Sequence, residues 1–383
     1  LGIEEFKRLV LEERKILPHD DRWTSYLEHG PVYDEKAIKS PSDIKTSSDE
    51  PEFDHWLSTN IYSQRQKGYS VVTISLPLGD LSSHQGRKLA YIADKYVGDA
   101  MRLTVEQNIV LRWVSNKDLP ELYKELNAVG LAIPDAGTIV DVTSCPGTDT
   151  CKLGIASSRG LAGELRLQLA QKSLELDKAI KGLRIKVSGC FNSCGQHHIA
   201  DIGFYGNSRN IKGFKVPHFQ VVLGGEWKNN GGSYGMAIGA VPSKKIPKSV
   251  TLITESFIKE RISFDETFQE YVRRVGKKYM RSIIEQLMVV PSHEEDASYY
   301  SDWGDPREFS LGDMGVGECA GEIVSREEFE LQAAEREVFE AQLALEENNF
   351  IDANNKSYQA MLKAARALIR IENYDVEDSP EII

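Results

Sequence analysis

VSGCFNSCGQHHIADIGFYG, residues 187–206, sets Cys190 and Cys194 in a C-x3-C pair with Gly189 and Gly195 just outside them. A companion stretch lies upstream, TSCPGTDTCKLGIASSRG at 143–160, with Cys145 and Cys151 in C-x5-C spacing. The whole chain holds only five cysteines, so two close pairs carry information. Four thiolates offered as two loop-borne pairs meet the demand of a 4Fe-4S cluster, one thiolate per iron. The neighbouring glycines let backbone approach such a cluster and aim N–H groups at its sulfurs. Structural zinc is the metal alternative, although its paired ligands favour two to four intervening residues, which the x5 pair exceeds. Four buried, unligated thiols are the third reading, and Cys319, which stands apart, reads as an ordinary thiol.

The 383 residues are 41% hydrophobic, enough for two or three cores. No apolar run reaches the roughly 18 to 20 residues of a membrane span and no basic-then-apolar leader opens the chain, so a soluble, cytoplasmic protein is expected. A net charge of -12 argues against a general nucleic-acid binder, which needs a basic face. An odd cysteine count without a secretory signal argues against a disulfide framework. The opening GIEEFKRLVLEERKIL reads as a helix with Ile3, Phe6, Leu9 and Val10 on one face. A chain that starts inside a helix without Met is expected to be a fragment.

Polar, Pro- and Ser-containing sequence then runs to about residue 60 and reads as a connection. Order resumes with a strand at YSVVTISLPL (69–78) and a helix carrying Leu89, Ala90, Ile92, Ala93 and Tyr96. Strands at MRLTV (101–105) and IVLRW (109–113) follow, then a helix with Leu119, Leu122 and Leu126. The order β-α-β-β-α is that of a small α+β sandwich. Mixed patterning continues through a helix at 159–174, strands at LRIKVS (183–188) and FQVVLGG (219–225), and helices at 249–262 and 266–275. Both cysteine pairs fall at the boundaries of these elements. Residues 291–324, rich in Gly, Asp and Ser, read as a linker or ordered arm. Ser325 and Glu328 make a capping box, and Tyr358, Met361, Leu362, Ala365, Leu368 and Ile369 form a stripe that packing explains, so the end of the chain is expected to be a helical hairpin.

The segments TSCPGTDTCKLGIASSRGLAGEL (143–165) and VSGCFNSCGQHHIADIGFYG resemble the two cluster-binding motifs of the sulfite and nitrite reductase haemoprotein family, including the separation between the pairs. RLTVEQNIVLRWV (102–114) resembles that family's T-x-x-Q-N segment and VVLGGEW (221–227) its L-G-G strand. The likeness covers about residues 1–290. It implies an α+β fold: 1–60 a helix and connection from a preceding repeat, 61–130 a ferredoxin-like half-domain and 131–290 a mixed α/β domain for a 4Fe-4S cluster and sirohaem; beyond the resemblance, the residues themselves make 291–324 a linker or arm and 325–383 a helical tail. By the same resemblance Cys145, Cys151 and Cys190 hold the cluster. Cys194 both binds the cluster and ligates the iron of the sirohaem, which makes it the catalytic ligand. Thr104, Gln107 and Asn108 match positions that contact the macrocycle, and Asn192 matches one near the cofactor. Glu106 departs from the polar amide often found there.

The implied activity is six-electron reduction of a small inorganic anion, sulfite to sulfide, with nitrite to ammonia as the alternative. A ferredoxin or a flavoprotein would supply the electrons. A reading of a different class is a non-catalytic 4Fe-4S electron carrier without the tetrapyrrole. Sirohaem bears many carboxylates, so cations should line its pocket. Arg102, Arg112, Lys152 and Arg159 are candidates, each as readily a solvated surface charge. His197 and His198 read as structural hydrogen-bonding groups rather than ligands. The Arg and Lys residues that grip the anion come mostly from the family's first repeat and are expected upstream of Leu1. Lys244, Lys245 and Lys248 in SKKIPK, with Arg273, Arg274, Lys277, Lys278 and Arg281 in RRVGKKYMR, form a possible docking face for an acidic donor, the alternative being ordinary helix charge.

Overall fold

The computed structural model describes residues 2–17, 36–43, 50–98, 100–228, 232–311 and 349–371, with scattered positions elsewhere. Helix α1 (Ile3–Ile16) forms as its periodicity predicts, with Ile3, Phe6, Leu9 and Val10 all exposed. Helix α2 (Pro51–Asn60) then starts on Pro51, whose fixed φ suits the first helical turn. It lies within the stretch read above as a connection, because its acidic and polar positions mask Phe53 and Trp56, both buried in the first core.

That core is built on β1 (Ile61–Ser63), β2 (Tyr69–Ile74), β3 (Met101–Leu103) and β4 (Ile109–Ser115), an antiparallel sheet in the order β1-β2-β4-β3. Val72 faces Leu111 and Ile74 faces Ile109 across the central pair. Helix α3 (Ser83–Tyr96) lays Leu89, Ile92 and Tyr96 on the sheet, and α4 (Leu119–Ala128) adds Leu119, Leu122 and Leu126. Each such side chain contributes roughly 1.5–3 kcal/mol by burial. A capping box fixes the start of α3, with the Gln85 N–H donating to Ser82 Oγ and the Ser82 N–H to Gln85 Oε1. The strand expected over 69–78 ends at Ile74, since Pro77 and Leu78, the latter at φ 59°, turn the chain into a short 3-10 segment.

The second sheet contains β5 (Thr143–Ser144), β6 (Ile185–Ser188), β7 (Ile202–Ile211), β8 (Phe214–Leu223) and β9 (Met236–Pro242), in that order across the sheet. Strands β5, β6 and β7 run parallel, and β7, β8 and β9 antiparallel. Strand β6 is buried along its whole length, as a central parallel strand should be. Helices α5 (Ser158–Ala170), α7 (Ile246–Glu260) and α8 (Phe268–Ile284), with the one-turn α6 (Lys178–Lys181) between α5 and β6, complete this layer. Leu161, Leu165, Val187, Phe204, Val221, Ile253, Phe257 and Tyr271 share its core. Helix α8 kinks at Gly276, φ 79°, within the basic segment.

Residues 299–303 lie against this layer. Tyr299 and Tyr300 pack on Val216, and Trp303 Nε1 donates to the Ser243 carbonyl at 2.9 Å. The last described helix is α9 (Phe350–Ile371). Its buried residues are Ala353, Ala360 and Ala367, whereas Tyr358, Met361 and Leu368 of the expected packing stripe are exposed. Ser325, Glu328 and Cys319 lie outside the described residues. No described helix is long and apolar enough to cross a membrane.

Candidate cofactor site

Adjacent parallel strands end on the same edge of a sheet, and that brings the start of one cysteine loop beside the start of the other. Thr143 is in register with Lys186 and Ser144 with Val187, so the chain leaves β5 into Cys145 and leaves β6 into Gly189 and Cys190 side by side. The Cys145 N–H still donates to the Val187 carbonyl at 3.1 Å. From the other loop, the Gly189 N–H donates to Cys145 Sγ at 3.1 Å, and the Gly189 carbonyl accepts from Ile155 and Ala156. The two loops meet backbone to backbone. A Cβ on Gly189 would stand 2.7 Å from Gly147 Cα, and Gly147 itself sits at φ +56°, so neither position accepts a side chain without strain.

Cys145 and Cys190 are buried, Cys151 is half-buried and Cys194 is exposed, with no disulfide among them. Burial above all pushes the Cys190 thiol pKa up; the Asn192 backbone hydrogen bond opposes it, and Cys145, Cys151 and Cys194 add to the rise. Cys151 and Cys194 follow Cys145 and Cys190 on the same two loops. Among the described residues no three His, Cys, Asp or Glu side chains close to the spacing of a single metal ion. A cluster asks for less, since each thiolate meets a different iron. An N–H already directed at a sulfur, glycines that let the two loops touch and four thiols carried on those loops fit such a group.

The T-x-x-Q-N turn serves as a joint between the layers. Thr104 Oγ1 accepts from the Asn108 N–H, and Gln107, held at φ 64°, donates from Nε2 to the Ser144 carbonyl at 2.7 Å. Buried Asn108 donates from Nδ2 to Asp141 Oδ2 at 2.7 Å and accepts from the Leu76 N–H at 2.8 Å. Thr104, Gln107 and Asn108 are thus engaged with protein, and Gln107 holds the residue that precedes Cys145. Asn192 is exposed on the second cysteine loop, where Ser193 (φ 62°) and Gln196 (φ 61°) also hold left-handed conformations. Strain of about 1–3 kcal/mol per such residue persists only where surroundings impose it, and such residues cluster at functional sites.

Some expected groups turn elsewhere. Arg159 is spent on Asp149, Asp80 and the Leu78 carbonyl, and Arg102 donates to the Met101 carbonyl. In the basic face, Lys244 donates to the Asp302 carbonyl and lies over the Trp303 ring, while Arg274 pairs with Glu266. Lys248, Lys277 and Lys278 remain exposed. Buried His197 shares a hydrogen bond with Ser188 Oγ at 2.8 Å and stacks near His198 and Tyr205. Burial lowers its pKa to about 4, which keeps the ring neutral.

Sequence reasoning missed Asp141, Arg166 and Lys186. Asp141 joins Asn108 to Arg166 of α5. Lys186, buried on β6 with its pKa lowered by burial, donates to Gln196 Oε1 at 3.2 Å. A charged residue in an otherwise apolar strand, as in IKVS, was the available signal.

Cysteine pairs at the ends of neighbouring parallel strands, braced by a turn from a second layer, define a protein that binds a thiolate-ligated cofactor. The nitrite/sulfite reductase ferredoxin-like half domain matches residues 62–129, and the nitrite and sulphite reductase 4Fe-4S domain matches residues 136–291. Together these take in more than half of the chain, which belongs to the nitrite and sulfite reductase family and carries its 4Fe-4S domain. The ferredoxin–nitrite reductase of Synechococcus elongatus is 31% identical over 179 residues, 46% of this chain and 34% of that relative. Sulfite reductase [ferredoxin] 1 of Mycolicibacterium paratuberculosis is 28% identical over 223 residues, 56% of this chain and 39% of that relative. The chain thus spans well under half the length of these relatives. The solved structure of the Mycobacterium tuberculosis NirA protein shares the fold, with a TM-score of 0.51 at 24% identity over 63% of this chain and 43% of that one.

Proposed function

We propose that this chain forms the cluster and sirohaem end of a six-electron reductase, with sulfite to sulfide as the reaction and nitrite to ammonia as the second reading, since relatives of both kinds match it. The observation that carries the proposal is the meeting of the two cysteine-bearing loops where β5 and β6 end side by side. Residues 61–130 would act as the ferredoxin-like half-domain and 131–290 as the cofactor domain. When bound, a 4Fe-4S cluster and a sirohaem would supply the single-electron chemistry that reduction of a small anion needs.

The protein's share of this work is holding and tuning. Cys145, Cys151 and Cys190 would hold the cluster, and the Gly189 N–H to Cys145 Sγ would favour its more negative state. Cys194, exposed at the rim, would be the bridging ligand. Phe191 at 67% exposure, beside Asn192, and Leu103 at 83%, at the end of β3 beside Thr104, offer apolar surface suited to a macrocycle face. Thr104, Gln107 and Asn192 would line its edge, and buried Asn108 would brace their turn from behind.

The deciding test is anaerobic reconstitution of the chain with iron, sulfide and sirohaem, followed by a visible spectrum and metal analysis. About four irons per chain without sirohaem and about five with it would support the coupled centre. Four irons with no tetrapyrrole bound would favour the electron carrier. Iron absent and zinc present would discard both.

The donor we propose is a ferredoxin, with a flavoprotein as the alternative, docking on exposed Lys248, Lys277 and Lys278. Lys277→Glu with Lys278→Glu should slow ferredoxin-driven turnover at low salt by about tenfold and leave dithionite-driven turnover intact. Equal loss in both assays would remove these lysines from the docking face.

A further inference from the structure

Asp302 lies past residue 291, where the matched 4Fe-4S domain ends, yet its side chain is 5% exposed. Its Oδ2 accepts from the Ser157 N–H at 2.6 Å, and its Oδ1 accepts from Ser243 Oγ at 2.7 Å and the Trp303 N–H at 2.9 Å. Ser157 is the N-cap of α5, so the carboxylate satisfies one of the helix's otherwise orphaned donors and sits at the favourable end of its dipole. The arm lies flat on this first turn: a Cβ on Gly160 would collide with the Trp303 carbonyl.

The next helix residue reaches the cofactor site. Buried Ser158 donates from Oγ to the Cys145 carbonyl at 2.8 Å, with the same oxygen 3.4 Å from Cys145 Sγ. Residues 302–310 and the Cys151 loop line one cavity of about 960 Å³. The hydrogen bonds that lead from Asp302 toward Cys145 pass through Ser157 and Ser158 at the start of α5.

We propose that Asp302 is a positioning residue for Cys145: it pins the first turn of α5, and Ser158 on that turn sets the backbone and thiol of Cys145 against the Gly189 N–H. This rests on the reading of Cys145 as a cluster ligand. The arm thereby becomes part of the cofactor site.

Asp302→Ala removes both acceptors, Asp302→Asn keeps one for the Ser157 N–H, and Ser243→Ala removes a single bond to the carboxylate. Hydrogen exchange on the cluster-free chain comes first. Amides over 143–158 should exchange about tenfold faster in Asp302→Ala, the scale of a lost hydrogen bond to a charged group, with those over 69–115 unchanged. Asp302→Asn and Ser243→Ala should fall between it and wild type. On the reconstituted protein the same order should appear in the rate of iron loss to a chelator and in a shifted electron paramagnetic resonance signal of the reduced cluster. Destabilisation elsewhere in the fold would not move that signal. If the Ala variant fails to fold, the two milder variants decide: wild-type exchange over 143–158 and a wild-type signal in both overturn the proposal. A wild-type chain that binds no iron overturns the cluster reading instead, and the exchange data still show whether Asp302 positions the loop.

Discussion

Asp141→Ala is expected to destabilise the protein by about 3 to 5 kcal/mol, the range for stranding one member of a buried ion pair. The carboxylate is buried and accepts from Asn108 Nδ2 at 2.7 Å, the Gly137 N–H at 2.9 Å and Arg166 Nη1 at 3.1 Å. Without it the Arg166 guanidinium keeps only a 3.4 Å contact to Ser75 Oγ among these partners, and Asn108 loses its acceptor. A urea melt should show a lower midpoint with an unchanged slope. A loss below about 1 kcal/mol would mean that water takes over the guanidinium and that the junction is less dry than its burial indicates. Asn108→Ala, which leaves the ion pair intact, should cost less, about 1 to 3 kcal/mol.

The second large effect concerns metal. Cys190→Ala should lower the iron held after anaerobic reconstitution from about four atoms per chain to less than one, because the cluster loses a ligand on a sheltered wall that offers no replacement. The fold should survive, since a buried thiol behaves as a small hydrophobe and the Gly189 backbone bonds do not depend on it. Far-UV circular dichroism and iron analysis on one sample separate the two outcomes. Iron at the wild-type level in a folded Cys190→Ala chain would exclude Cys190 as a ligand.

Much of this was open to reading in the sequence. Leu89, Ile92 and Tyr96, or Leu119, Leu122 and Leu126, recur at helical spacing and settle on the first sheet as their periodicity requires. The cysteine spacings are local facts that need no tertiary knowledge. What stayed hidden depends on distant partners. Strand β7 ends in Asn207, Ser208, Arg209 and Asn210, polar enough to pass for a loop, and is held by its ten-residue pairing with β8. Asp141 and Asp302 look like solvated acids, one before a cysteine motif and one in a Gly- and Asp-rich stretch; only the fold reveals that each is buried against a chosen set of donors. In the tail, large apolar residues drew attention away from the alanines that pack. The left-handed turns at Gln107, Ser193 and Gln196 carry no residue-type signature, because glutamine and serine are not the residues that announce such a conformation.

The four thiols of the two loops differ in how far they stand from solvent, and that gradient has a chemical cost. Thiol oxidation follows access as well as thiolate character. In the bare chain, Cys145 and Cys190 are screened by the loop crossing, whereas Cys194 faces dissolved oxygen directly. Among these four, the first sulfenic acid formed in air would fall on Cys194, and alkylating reagents would find it before its sheltered partners. Damage would begin at the very atom proposed to join the two cofactors.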